Sequence, residues 1–252
     1  MSVEDEQQFA AARRRNVAGL GADEELKKFS RAWQVEAAKH NYIYNFSWLG
    51  RPIIQLPQDV FAMQELLWSI QPDLIIETGI AHGGSLIFSA SMLELNAACG
   101  GPPDAQVLGI DIDIRAHNRA AIEAHPMSKR IRMIQGSSIA PEIIEQVHTT
   151  AQGRQRVLVC LDSNHTHDHV LAELNAYAPL ASVGSYCIVF DTAIEEVPAA
   201  MSAERPWGPG NNPMTAVHEF LKTTDRFEID RNISSKILIT VAPDGYLRCI
   251  KD

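Results

Sequence analysis

The apolar positions of this chain change rhythm twice. Over residues 1–46 they recur at helical intervals in a stretch rich in Ala, Glu, Lys and Arg, with Phe29, Trp33 and Ala37 on one face. This predicts one or two helices acting as a cap or an oligomer arm. Trp48-Leu-Gly-Arg-Pro52 breaks the rhythm. A further helix is predicted over 60–70, opened by Pro57-Gln-Asp59 with Asp59 as its N-cap. Short, nearly continuous apolar runs then alternate with helical stretches. Strands are predicted at 74–76, 107–110, 131–134, 157–161, 185–190, 227–229 and 237–241, with 246–250 a further candidate. Helices are predicted at 85–98, 116–124, 141–150, 167–177 and 214–222, and a Pro/Gly-rich loop at 192–213. Repeated strand–helix units with apolar strands mean an α/β fold, its mostly parallel sheet covered on both faces. The chain divides into an N-terminal helical extension, 1–58, and an α/β domain, 59–252.

In such a sheet the chemistry gathers at the carboxyl ends of the strands. Four acids fall there: Glu77, Asp111, Asp162 and Asp191. The first strand runs into Leu74-Ile-Ile-Glu-Thr-Gly-Ile-Ala-His-Gly-Gly-Ser85. A glycine-lined turn lets a backbone approach a ligand, and the helix after it offers free N–H groups. A nucleotide-type cofactor is the first reading; a plain strand-to-helix turn is the other. No Lys-Ser/Thr follows the glycines, which excludes a P-loop, and no close G-x-G-x-x-G is present, which disfavours a dinucleotide. Gly79 and Gly83, with Glu77 before them, suit a ligand held by its sugar and its amino-acid part. Asp111 is positioned to accept hydrogen bonds from both ribose hydroxyls, or to cap the next helix. Gly136 and Ser137, after the third strand, can line an adenine or form an ordinary loop.

Asp162-Ser-Asn-His-Thr-His-Asp-His169 is the second rich segment. Asp162 is hard-ligand material for a divalent cation. His165, at a helix entrance, can take a proton from a substrate hydroxyl near neutral pH. A zinc site of His165, His167 and His169 is disfavoured, because residues two apart on a helix do not share a face. The competing reading makes these residues helix-entry polar groups. Asp191, ending Val189-Phe190-Asp191-Thr192, can pair with Asp162 across adjacent strand tips to hold magnesium. Without a metal the two acids repel and one tends to keep a proton.

Charge and cysteine usage narrow the partners. The net charge is −9, so no nucleic-acid partner is expected, and Arg13-Arg14-Arg15 reads as a solvated helix face. Four scattered cysteines without a C-x-x-C suggest neither a zinc clip nor a redox pair, and Cys160 and Cys187 read as small core residues. No charged-then-apolar leader and no membrane-length apolar run is seen, so a soluble, cytoplasmic protein is expected.

These motifs together resemble the S-adenosylmethionine-dependent O-methyltransferases of the cephalosporin hydroxylase and macrolide-sugar methyltransferase group. The carriers are Ile-Ile-Glu77-Thr-Gly79-x-x-x-Gly83-Gly84-Ser85, Gly-Ile-Asp111-Ile-Asp113, Leu-Asp162-Ser-Asn-His165-x-x-x-His169-Val-Leu-x-Glu-Leu, Tyr177-Ala-Pro-Leu180 and Gly184-Ser-Tyr186-x-x-Val189. They run from about Trp48 to the C-terminus. The resemblance implies a Rossmann-like class I methyltransferase fold with a seven-stranded sheet. It implies a cofactor pocket at Glu77, Gly79, Gly83, Ser85 and Asp111, to which Gly136, Ser137 and Asp162 add. It further implies His165 as general base, and magnesium held by Asp162 and a Glu-Asp pair at the fifth strand's tip. Here that pair is Phe190-Asp191, and a phenyl ring cannot coordinate a cation, so metal affinity should fall. No two-His-one-carboxylate iron site supports a hydroxylase. The expected reaction is methyl transfer to a hydroxyl of a small-molecule acceptor, a sugar or other natural-product intermediate. His165, Asp162 and Asp191 would be catalytic, and the 193–213 loop with Trp207 would close over the acceptor. A metal-independent N- or O-methyltransferase and a non-catalytic cofactor-binding homologue are the alternatives. The N-terminal helices make a homo-oligomer plausible.

Overall fold

The computed structural model describes residues 2–252. Two helices open it, α1 (Val3–Ala22) and α2 (Glu24–Ala38). Ser2 caps α1 through a capping box, and Asp23 caps α2 by accepting from the Leu26 N–H at 2.9 Å. Neither helix buries an apolar side chain: α1 buries nothing and α2 only Ser30. Phe9 and Phe29 lie 66% and 69% exposed. Arg13, Arg14 and Arg15 are all exposed, as the sequence implied.

A hairpin follows, β1 (Phe46–Trp48) and β2 (Arg51–Ile53), in the stretch read only as a break. Its turn residues Leu49 and Gly50 have φ of 46° and 85°, matching the twist a two-residue hairpin needs. Trp48 packs edge-on to Phe88 at 4.9 Å, and its Nε1 donates to Ser91 Oγ at 2.9 Å. The hairpin therefore sits on the helix that follows the glycine turn.

Helix α3 (Pro57–Ile70) begins with proline in its first turn, where the missing N–H is harmless. Its N-cap is Leu56, not Asp59. Asp59 is fully buried instead, accepting from Thr240 Oγ1 at 2.5 Å, the Val241 N–H at 2.9 Å and Tyr246 Oη at 2.9 Å.

The sheet is built from β3 (Leu74–Thr78), β4 (Gln106–Asp111), β5 (Ile131–Gln135), β6 (Val157–Leu161), β7 (Tyr186–Val189), β8 (Phe227–Ile229) and β9 (Tyr246–Cys249). Their order is β5-β4-β3-β6-β7-β9-β8; β3 to β7 run parallel, and β9 is antiparallel to both β7 and β8. Helices α4 (Gly84–Ala98), α5 (Ala116–Glu123), α6 (Pro141–Ala151), α7 (His167–Tyr177), α8 (Pro213–Phe220) and α9 (Arg231–Ile237) connect them. Alternate residues of β3 face opposite cores: Ile75 joins Leu67, Leu86 and Phe88, whereas Leu74 and Ile76 join Val147, Leu174 and Val217. Both faces are thus dry, as strands of near-continuous apolar residues require.

One predicted strand is absent. Residues 237–241 are β-branched except for Leu238, yet α9 ends at Ile237, Leu238 takes φ 59°, and β9 completes the sheet. Asp230 starts α9 by accepting from the Asn232 N–H at 3.1 Å. The backbone of 240–242 is paired elsewhere, with Asp59, with Gln34 Nε2 at 2.7 Å and with the Ala193 N–H at 3.0 Å. Among the described residues no helix is long and apolar enough to cross a membrane.

Candidate active site

The chain turns back between β4–β5 and β6–β7, so β3 and β6 flank the switch point. Pairing brings Thr78 level with Ile110 and Leu161, and Leu161 level with Val189. Asp111, Asp162 and Asp191 therefore end up side by side at one rim. Two cavities open there and meet at His165 and Asp191. A cleft of about 270 Å³ lies over the tips of β3, β4 and β6, touching Gly79, Ser85, Asp111, Asp162, Ser163 and Phe190. The hairpin and the residues flanking it (Tyr44, Pro52, Gln55) form its other wall. A second cavity, of about 430 Å³, lies between α2 and the 193–207 loop, with Trp33, Tyr42, Tyr44, Met201 and Trp207 in its walls.

The glycine turn is shaped first by the protein itself. Gly79 has φ 88°, and a Cβ there would run into the Asp162 carbonyl; Gly83 has φ 84°, and its Cβ would strike Ile122. Close strand-tip packing therefore requires both glycines, and only the Gly79 backbone reaches the cleft. Asp111 stabilises the same turn: Oδ2 accepts from the N–H groups of Ile80 (2.8 Å) and Ala81 (3.3 Å), and Oδ1 from that of Asp113 (2.9 Å). It does not cap α5, whose N-cap is Arg115. A carboxylate has about four lone-pair sites, so Asp111 retains capacity for a hydroxyl in the cleft.

Glu77 lies one layer behind. It is 5% exposed, accepts a hydrogen bond from Ser85 Oγ, and borders a small void shared with Ser85, Asp162 and Phe190, outside the wall of either large cavity. Burial pushes its carboxyl up to about 7, against the opposing pull of the Ser85 and Ser89 hydroxyls. Gly136 and Ser137 also stay outside the cleft. Gly136 donates its N–H to the Asp111 carbonyl at 2.9 Å and its Cα faces Ile143; Ser137 turns its carbonyl to the Ala140 N–H at 2.9 Å. The next residue lines neither cavity either. Ser138 is buried, with Oγ 3.0 Å from His169 Nε2.

The three histidines separate cleanly. His167 Nδ1 pairs with Thr215 Oγ1 at 2.8 Å, joining α7 to α8. His169 joins Ser138, Ser163 (3.2 Å) and the fully buried Glu173. Only His165 enters the cavities. Its Nε2 lies 3.2 Å from Asp191 Oδ2, and Trp207 stands edge-on to its ring at 4.8 Å and 88°. Among the described residues, Asp162, His165 and Asp191 are the one convergent set of three ligand-type side chains, their atoms within 4.8 Å of one another. Burial, then the carboxylates of Asp191 and Glu77, push the Asp162 carboxyl well above the ordinary range. Cys160 and Cys187 are buried core residues, their thiols pushed up chiefly by burial. The cavities recruit residues that motif spacing did not flag, namely Tyr44, Gln55, His82 and Ser163. Tyr44 and Gln55 flank the unread hairpin, His82 sits inside the glycine turn, and Ser163 belongs to the polar run after Asp162.

A seven-stranded sheet in this order, its last strand reversed and its cleft over the switch point, defines a Rossmann-like methyltransferase fold. The chain belongs to the rhamnosyl O-methyltransferase/CmcI family, whose model matches residues 40–250. It is 30% identical over 193 residues to the rhamnosyl O-methyltransferase of Mycobacterium tuberculosis, covering 75% of this chain and 72% of that one. In fold it is similar to CmcI solved with Mg and SAM (TM-score 0.54, 20% identity, 82% of this chain and 78% of that one). It is likewise similar to the O-methyltransferase TomG of Streptomyces achromogenes with SAM (TM-score 0.53, 16% identity, 91% of each chain).

Proposed function

We propose that this chain transfers the methyl group of S-adenosylmethionine to a hydroxyl of a small molecule, a sugar or another natural-product intermediate. The observation that carries this reading is the meeting of two cavities at His165: a polar cleft over the strand tips and an aromatic chamber beside it. The family, with its rhamnosyl O-methyltransferases, supports it.

The cofactor would lie in the cleft against Gly79, Ser85 and Asp111, its ribose hydroxyls reaching the remaining lone pairs of Asp111. Glu77 acts through Ser85, and Gly83, Gly136 and Ser137 support the turn and Asp111 from behind. The sulfonium is already a good leaving group, so alignment is the main task. His165 takes the acceptor's hydroxyl proton, and Asp162 and Asp191 position the reacting end. Trp207 and Trp33 flank the acceptor, and aromatic walls suit the face of a sugar or an apolar ring.

Magnesium, present in CmcI with SAM, would have Asp162 and Asp191 as its carboxylate donors here. Phe190, 3% exposed at the cleft wall, supplies none, and Asp191 already meets His165. This donor set fits a hard, oxygen-seeking dication poorly. We further propose a cytoplasmic location, where the cofactor is made, and self-association through the exposed Phe9 and Phe29 of the N-terminal extension, to be read by light scattering. Isothermal calorimetry tests the central reading: S-adenosylhomocysteine binds and NAD does not. Binding of NAD in preference would refute it.

A further inference from the structure

The wall of the strand-tip cleft holds one polar atom that the fold leaves unserved. Gln55 sits at the bend between β2 and α3, flanked by the buried Ile53 and Leu56. The backbone before it is pinned, because Pro52 and Ile53 press so closely on Gly84 that no Cβ fits there. The Gln55 side chain turns inward and is 7% exposed. Its Oε1 is buried and accepts no hydrogen bond among the described residues. The other buried side-chain atoms without a partner, on Gln58, Gln71, Asn96, Glu173 and Ser185, belong to residues that line neither large cavity. A buried amide oxygen that accepts nothing is costly, so its presence at a ligand cleft calls for a reason.

The surroundings of Gln55 define what is missing. Gln55, Ser85, Asp162 and Phe190 border both the cleft and the small void beside Glu77. That void measures about 10 Å³, room for one group the size of a water molecule. Its polar lining is the Gln55 amide, the Ser85 and Ser89 hydroxyls, the Cys160 thiol, and the carboxyl groups of Glu77 and Asp162. Both hydroxyls already serve Glu77, and a thiol is a weak donor. No Lys, Arg or His lines the void. Acceptors therefore outnumber donors, and the fitting partner is a small group that only donates. An alkylammonium has three N–H donors, no acceptor and a positive charge.

We propose that Gln55 recognises the amino group of the methyl donor: Oε1 accepts a hydrogen bond from the α-ammonium, which the donor's amino-acid end brings to the partition between cleft and void. The inference rests on the methyl-transfer reading and adds to it a specificity-determining residue that lies outside the strand tips. It also gives the hairpin a chemical role, because the segment leaving β2 delivers the amide.

The test needs no knowledge of the acceptor. Isothermal calorimetry compares S-adenosylhomocysteine with its desamino analogue, which keeps the carboxylate and lacks only the amino group. The wild type should prefer S-adenosylhomocysteine by at least about tenfold, the effect of one hydrogen bond to a charged group. Gln55→Met keeps the length of the side chain and removes the acceptor. It should bind S-adenosylhomocysteine about 10–100-fold more weakly, and the desamino analogue within about twofold of the wild type. The unliganded variant should melt no earlier than the wild type, because no internal partner is lost. Equal losses for the two ligands, or no loss, overturn the assignment. A marked fall in Tm does so too, since it gives the amide to the fold. A wild type that binds both ligands alike also overturns it, and that result needs no folded variant. Absent S-adenosylhomocysteine binding to the wild type sinks the methyl-transfer reading itself, whereas binding without amino-group preference sinks the role of Gln55 alone.

Discussion

Asp59 should make the stability of this protein depend on pH in a way that one substitution removes. Its carboxyl is fully buried, and burial pushes it from 3.8 up to about 6 against three hydrogen bonds from Thr240, Val241 and Tyr246. Below 3.8 the group is protonated in folded and unfolded chains alike and has no effect. As pH rises from there the unfolded chain ionises first, so stability falls, and the loss is complete once pH passes about 6. A gap of roughly two units at 1.36 kcal/mol each amounts to about 3 kcal/mol. Asp59→Asn cannot ionise. Its amide points a donor at the Val241 N–H, a loss of about 1–3 kcal/mol that does not vary with pH. Urea unfolding by tryptophan fluorescence, run from about pH 4 to 7.5 in EDTA, gives both stabilities. The variant-minus-wild-type difference should climb by about 3 kcal/mol across that range. Glu77 titrates nearby in both proteins and cancels from the difference if the sites are independent. A flat difference would refute a buried, proton-retaining Asp59.

Gly79→Ala meets both a left-handed backbone and the Asp162 carbonyl, so it should lose at least about 3 kcal/mol by thermal unfolding and abolish S-adenosylhomocysteine binding. His165→Ala should lower turnover about 10²–10⁴-fold with cofactor affinity unchanged, measured as S-adenosylhomocysteine release over a panel of hydroxylated acceptors. Unaltered turnover removes His165 from the chemistry. Trp207→Ala should raise the acceptor KM while leaving that of S-adenosylmethionine alone; the reverse pattern would move Trp207 out of the acceptor chamber. Glu173→Ala takes away a fully buried carboxylate that accepts from Ser163 Oγ at 2.6 Å, and calorimetric Tm should fall accordingly.

What could be read along the chain followed from burial. Strands with two dry faces are apolar throughout, and the 157–161 and 227–229 runs coincide with β6 and β8. The 167–177 stretch coincides with α7. The acids at strand ends were legible because a charge terminates such a run. Their partners were not, because these depend on loops distant in sequence. Asp59 looked like a cap until residues 181 to 187 positions away supplied its donors. Asp111 looked free to bind a ribose, but the turn after β3 supplied two N–H groups. The 237–241 run has strand propensity, yet its backbone found partners in a buried carboxylate and in α2. Propensity yields to such contacts. The hairpin escaped notice because three-residue strands carry too short a pattern to show a period.

The hairpin's grip on the glycine turn has a consequence for how such a protein can diversify. Arg51 reaches the His82 carbonyl and Asn118, and Pro52 lies so close to Gly84 that no side chain fits between them. The segment that looks like part of a leading arm is thus locked to the strand-tip cleft. Helix α2, further back in the chain, walls only the other chamber. Exchange of the first forty or so residues would reshape that chamber and leave the strand-tip cleft intact.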